Sequence, residues 1–109
     1  MVLDGTVDIT KLGTKADRHN SGKPQLSFIL SAPNAISEIA KVFEFGVEKY
    51  ARDNWKKGLD RNETVDSLLR HLTAAENGEI LDNESKLQHL AHVAWNAIVL
   101  LEQHGVKNE

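Results

Sequence analysis

The stretch from Leu87 to Leu101 constrains this chain more than any other. Apolar residues fall at Leu87, Leu90, Ala91, Ala94, Ile98 and Leu101, the spacing of one helical face. Val93, Val99 and Leu100 add apolar surface on the other sides. Asn83 is the expected cap and Gly105 the expected stop, so the spacing predicts a helix from Asn83 to about His104. At ~1.5 Å per residue it is about 30 Å long, the span of a small domain. A helix apolar nearly all round is buried, which makes it the centre of a helical bundle.

Two further helices are predicted to surround it. From Pro33, with Ser31 or Asn34 as cap, apolar residues recur at Ile36, Ile39, Ala40, Phe43, Val47 and Tyr50, while Phe45 points elsewhere and offers a second contact surface. Residues 51–62 are polar, contain Gly58 and read as a loop. Thr64 is then the expected cap of a helix with core positions Val65, Leu68, Leu69, Leu72 and Ala75, ended or bent at Gly78. Residues 1–33 hold both prolines and three of the seven glycines and read as an irregular arm. Within it, Val2, Leu3, Val7 and Ile9, then Leu26, Phe28 and Leu30, suit short extended pieces. The expected architecture is therefore all-α: about three main helices over residues 34–109, with the arm as part of the same domain.

Size and composition narrow the function. A chain of 109 residues and 12.1 kDa is one domain. A domain this small buries only ~65% of its unfolded surface, so helices with wide apolar stripes are expected to pair between chains. Cysteine is absent, which excludes disulfides, thiolate metal sites and cysteine nucleophiles. No apolar run reaches the roughly 18 residues of a membrane span, and the first residues do not read as a signal peptide, so the expected location is cytoplasmic, without a membrane partner. A formal charge of −3 argues against coating nucleic acid but permits a small anion held by local cations.

Three groups of residues carry chemistry. His89, His92 and Asn96 lie at i, i+3 and i+7 of the last helix and share one strip, roughly opposite its leucines. Burying such groups unpaired costs about 1–3 kcal/mol each, so the strip either faces water, satisfies local backbone or binds something. The second group is Arg70-His71 followed by Glu79-x-x-Asp82, whose two carboxylates suit a divalent cation if the helix continues past Gly78, or simply charge a helix N-terminus if it does not. The third is the run from Lys49 to Lys57, where Lys49 and Arg52 suit phosphates, Asn54 a base edge, and Tyr50 and Trp55 a base face. A basic helix end anchored by Trp55 explains that run equally well. Gly22-Lys23-Pro24 lacks the glycine spacing and the Ser/Thr of a phosphate loop, and there is no Gly-x-Ser-x-Gly elbow.

These residues, taken in order, resemble a known family. Phe45-Gly46-Val47-Glu48-Lys49-Tyr50…Asn54-Trp55, Arg70-His71-Leu72…Gly78-Glu79…Asp82…Glu84-Ser85 and His89-Leu90-Ala91-His92-Val93-Ala94-Trp95-Asn96 are similar to the phage dATP/dGTP diphosphohydrolase domain, among the MazG-like all-α pyrophosphohydrolases. Lys15-x-Asp17 and Gly22-Lys23-Pro24 fit the same family's opening, and the resemblance runs from about residue 15 to 102. It implies hydrolysis of a purine dNTP (dGTP or dATP) to dNMP and pyrophosphate with a divalent metal, Mg2+, Mn2+ or Co2+. It also implies a homodimer or homotetramer and, in phages that replace adenine by 2-aminoadenine, a supply of dGMP for the modified nucleotide. The wider superfamily carries two acidic pairs; here Glu79-x-x-Asp82 is one, and His89-x-x-His92 stands where a second is expected.

On this reading the catalytic residues are Glu79, Asp82, His89 and His92. The metal set is Glu79 and Asp82 with some of His71, His89 and His92, and Glu44 or Glu48 supplies a further carboxylate if the histidines serve phosphate instead. Substrate-binding residues are Lys23, Lys49, Tyr50, Arg52, Asn54, Trp55, Arg70 and Asn96. The competing readings are a non-catalytic helical module that binds nucleotide or protein through residues 49–57, and a dimerisation domain whose imidazole strip meets its own copy.

Overall fold

The computed structural model describes residues 16–19 and 21–106, so Val2, Leu3, Val7, Ile9 and Lys15 lie outside the described residues. The protein is all-α, with four helices and no strand among those residues. They are α1 (Ser27–Leu30), α2 (Pro33–Lys49), α3 (Arg61–Glu76) and α4 (His89–His104), with a 3₁₀ turn at Asn54–Lys57. Leu26, Phe28 and Leu30 thus belong to or flank a one-turn helix rather than an extended piece. Pro33 opens α2, where its fixed φ suits the first turn and its missing N–H costs nothing. Neither Ser31 nor Asn34 caps it: the N-cap is Ala32, and the Ser31 hydroxyl donates to the Phe28 carbonyl instead.

Two starts differ from expectation. The cap of α3 is Asp60, whose carboxylate accepts the Glu63 N–H at 3.0 Å, and Thr64 sits one turn inside, buried, its hydroxyl donating to the Asp60 carbonyl. Helix α4 starts at His89 instead of Asn83, because residues 82–88 close a turn of their own. Gly78 ends α3 rather than bending it: its φ of 93° is open to glycine and strained for other residues. At the far end of α4, a Cβ on Gly105 would collide with the Leu101 carbonyl, so glycine is the residue that lets the chain leave the helix there.

Helix α4 packs on both α3 and α2 and is the centre of the bundle, as expected. Its inward face is turned from the expected one. His89, His92, Asn96 and Val99 are buried together with Ala91 of the expected face, whereas Leu90, Ile98 and Leu101 are 56%, 39% and 76% exposed. The polar strip is inside because α3 presents Ser67 and His71 to it, so the polar groups find partners there. Among the described residues apolar burial is thin, with Val42, Ala91 and Val99 its buried members. Aromatic contacts add to it: Phe43 meets the rings of Trp55 and Trp95 edge-on, with centroids 5.5 and 5.8 Å apart. No described helix is long and apolar enough to cross a membrane.

Candidate active site

Between α3 and α4 the chain makes a tight reversal. The Asp82 N–H donates to the Leu87 carbonyl at 2.8 Å, the Lys86 N–H returns to the Asp82 carbonyl, and the His89 N–H to that of Ile80. The Asp82 carboxylate fastens the turn from within, its Oδ2 accepting the N–H of Ser85 at 2.8 Å and of Glu84 at 3.1 Å. Aspartate is suited to this because its short side chain reaches backbone two or three residues on. The reversal delivers Glu79, Asp82 and Ser85 to the buried imidazole strip.

There the side chains form one connected cluster. The Nδ1 atoms of His71 and His89 are 2.8 Å apart, and His89 Nε2 is 2.9 Å from Glu79 Oε2. His92 lies flat on His71, with ring centroids 4.3 Å apart and planes at 6°, and its Nε2 is 2.7 Å from the Ser85 hydroxyl. Phe45 of α2 closes the cluster edge-on against His92. Ligand atoms of His71, Asp82 and His89 lie within 4.8 Å of one another. Two imidazoles and a carboxylate form a donor set that fits a divalent cation, and imidazole favours manganese, cobalt or zinc over magnesium.

Electrostatics prepare these groups in the same direction. Burial lowers the pKa of His71, and the neighbouring His92, His89 and Arg70 lower it further against the opposing pull of Asp82. Burial likewise lowers that of His92. For Asp82, burial pushes upward but is outweighed by the hydrogen bonds from Ser85 and by the nearby His92 and His71, so the net shift is downward. Neutral imidazoles beside an ionised carboxylate are the forms that ligate metal.

A second feature lies at the C-terminal end of α2. A cleft of about 370 Å³ is lined by Tyr50, Arg52, Asn54 and Trp55 together with Phe43 and Trp95. Its size and largely apolar walls are those of a small-molecule pocket. Gln103 of α4 holds the 3₁₀ turn in place, donating to the Trp55 carbonyl and accepting the Leu59 N–H. Lys49 stands between cleft and cluster: its ammonium is 2.8 Å from Glu84 in the reversal and lies against the Phe45 and Tyr50 rings.

The remaining expected site residues are placed differently. Glu79 adjoins His89 but is not in the three-residue ligand set, and His92 is likewise beside that set, not in it. Asn96 is enclosed, with its amide donating to the His92 carbonyl and to Ser67, so it braces the bundle and does not face the cleft. Arg70 is exposed on α3, over a shallow depression shared with Asp66 and Glu79. Lys23 is exposed ahead of α1. Glu44 borders a depression beside Arg52 and Trp55, and neither it nor the exposed Glu48 joins the ligand set. The sequence carries no signal for Gln103; Ser85, present above only within the family-like run, has one in its place three residues after Asp82, the spacing of a side-chain-fastened turn.

Fold and site together define a small all-α domain with an imidazole–carboxylate cluster at the reversal before its last helix and an aromatic cleft nearby. The chain belongs to the dATP/dGTP diphosphohydrolase family, whose N-terminal domain matches residues 13–109. A curated relative, a dATP/dGTP diphosphohydrolase of Salmonella phage PMBT28, is 36% identical over 77 residues, which is 71% of this chain and 26% of the relative. The chain thus spans about a quarter of that relative's length. No solved structure matches it.

Proposed function

We propose that this domain hydrolyses a purine deoxynucleoside triphosphate, dGTP or dATP, to the monophosphate and pyrophosphate with a divalent cation. The observation that carries the reading is the convergence of His71, Asp82 and His89 from two helices and a turn. Those three residues would hold the cation, Mn2+ or Co2+ in preference to Mg2+. A cation there supplies positive charge and Lewis acidity for a phosphoanhydride. Glu79 fixes the orientation of His89, and Asp82 is kept ionised by its turn. Lys49, now on Glu84, and Arg52 offer cations to the phosphate chain. Tyr50, Trp55, Phe43 and Trp95 give the cleft flat apolar walls for a base, and Asn54 an amide for its edge. The family match and the relative's name support the same substrate class.

The proposal extends to assembly and setting: a homodimer or homotetramer, acting in a host cytoplasm on the phage nucleotide pool, where dGMP feeds synthesis of a 2-aminoadenine nucleotide. The test is a panel of dNTPs with Mn2+, Co2+ or Mg2+, resolving dNMP and pyrophosphate by chromatography. Purine dNMP with pyrophosphate, lost in His89→Ala, is the expected result. Nucleotide binding without any product would instead make this a non-catalytic nucleotide-binding module.

A further inference from the structure

Ser85 is engaged in three ways at once. Its N–H donates to Asp82 Oδ2 at 2.8 Å, its hydroxyl oxygen accepts the Leu87 N–H at 3.2 Å, and the same hydroxyl is 2.7 Å from His92 Nε2. His92 has the chemistry of a ligand: it is buried, stacked on His71, and close enough to Asp82 to feel its charge. Yet the residues whose ligand atoms converge are His71, Asp82 and His89. The difference lies in the partner: the Nδ1 atoms of His71 and His89 share a proton with each other, which a cation between them replaces, whereas His92 Nε2 is bonded to a hydroxyl outside the set. A nitrogen hydrogen-bonded to a hydroxyl cannot at the same time give its lone pair to a cation when it carries the proton, and must break that bond when it does not.

We infer that Ser85 is a positioning residue that holds His92 out of the cation's ligand set, so that His71, Asp82 and His89 bind the ion while His92 stays as an uncoordinated imidazole beside it. The hydroxyl is the deciding group, because the backbone N–H of Ser85 serves Asp82 whatever the side chain. Without the hydroxyl, the His92 ring loses its partner at Nε2 and is left with a free nitrogen, stacked on His71. The inference rests on the cation reading of the trio, and its test separates the two.

In the Co2+-loaded protein each coordinated imidazole gives one strongly shifted ring N–H proton resonance that disappears in D2O. Native protein should show two such signals, from His71 and His89; Ser85→Ala should show three, and Ser85→Thr, which restores a hydroxyl, two. Three signals in the native protein, or two in folded Ser85→Ala, would overturn the assignment. Where Ser85→Ala fails to fold, Ser85→Gly removes the hydroxyl with the N–H retained, and His92→Gln in the native background decides whether His92 coordinates: two signals kept support the assignment, a loss of one refutes it. If native protein shows no shifted imidazole signal while still releasing pyrophosphate, the cation reading of the trio fails and the assignment of Ser85 falls with it.

Discussion

His89 is bonded at both ring nitrogens, and its partners settle what each one does. A carboxylate only accepts, so the proton at the Glu79 side sits on His89 Nε2. In the neutral ring, Nδ1 is then an acceptor, and the 2.8 Å contact is a hydrogen bond donated by His71 Nδ1. Asp82 combines two jobs that substitution can separate. Asp82→Asn keeps an oxygen for the Ser85 and Glu84 N–H groups but removes the charge. The turn should survive, with Tm changed by only a few degrees, while calorimetry should show Mn2+ affinity and pyrophosphate release lost. Acid should act through the two perturbed histidines. His71 and His92 have folded-state pKa values below the ordinary 6.5, so under pH 6.5 the unfolded chain binds protons that the folded one refuses. In metal-free protein, the contribution of this pair is complete above pH 6.5 and is lost as pH falls through the folded values. Asp82, lowered from 3.8, acts separately and only at still lower pH. Urea titrations at stepped pH should show a first decline in stability beginning near 6.5, absent in a His71→Phe, His92→Phe double variant.

At the scale of elements, the boundary of α3 gives a direct test. Asp60→Ala removes the acceptor for the Glu63 N–H and should cost about 1 kcal/mol by chemical denaturation. Thr64 looked like the cap from sequence because it directly precedes the apolar run, but Asp60 with Glu63 is the pair that closes the first turn. The existence, order and stop signals of the three long helices were legible in the spacing of Ile36 to Tyr50, Val65 to Ala75 and Leu87 to Leu101. The start of α4 was not. Asp82-Asn-Glu-Ser contains no glycine or proline, and only the bonds from Asp82 to Ser85 and Glu84 distinguish a closed turn from a first helical turn. The inward side of α4 was hidden for a different reason. A helix apolar on most sides has two possible seams, and the choice is made by Ser67 and His71 on another helix. The same blindness hid the contacts of Asn96 with Ser67 and of Ser85 with His92, since a hydroxyl or amide declares its partner only once the chain is folded. What spacing did reveal was that His89 and His92 share a strip; Glu79 and Asp82, expected one helical turn apart, lie instead in non-helical chain after α3.

For the whole molecule, turning the imidazoles inward leaves an apolar outer face on α4. Leu90, Ile98 and Leu101 lie along it, and Leu26, Phe28, Ile29 and Leu30 are exposed near α1. Exposed apolar stripes are what association surfaces are built from. Sedimentation should therefore find native protein assembled at micromolar concentration, and Leu101→Asp shifted toward single chains. The inner cluster, which shares no side chain with that outer stripe, should keep its fold if α4 is held by α2 and α3 alone.

The two tryptophans of the sequence both flank Phe43, and both line the cleft at the end of α2. The chain's indole fluorescence thus originates beside that one space. Emission from the unlabelled protein becomes an optical gauge of whatever enters there, readable in a stopped-flow instrument before any bond is cut.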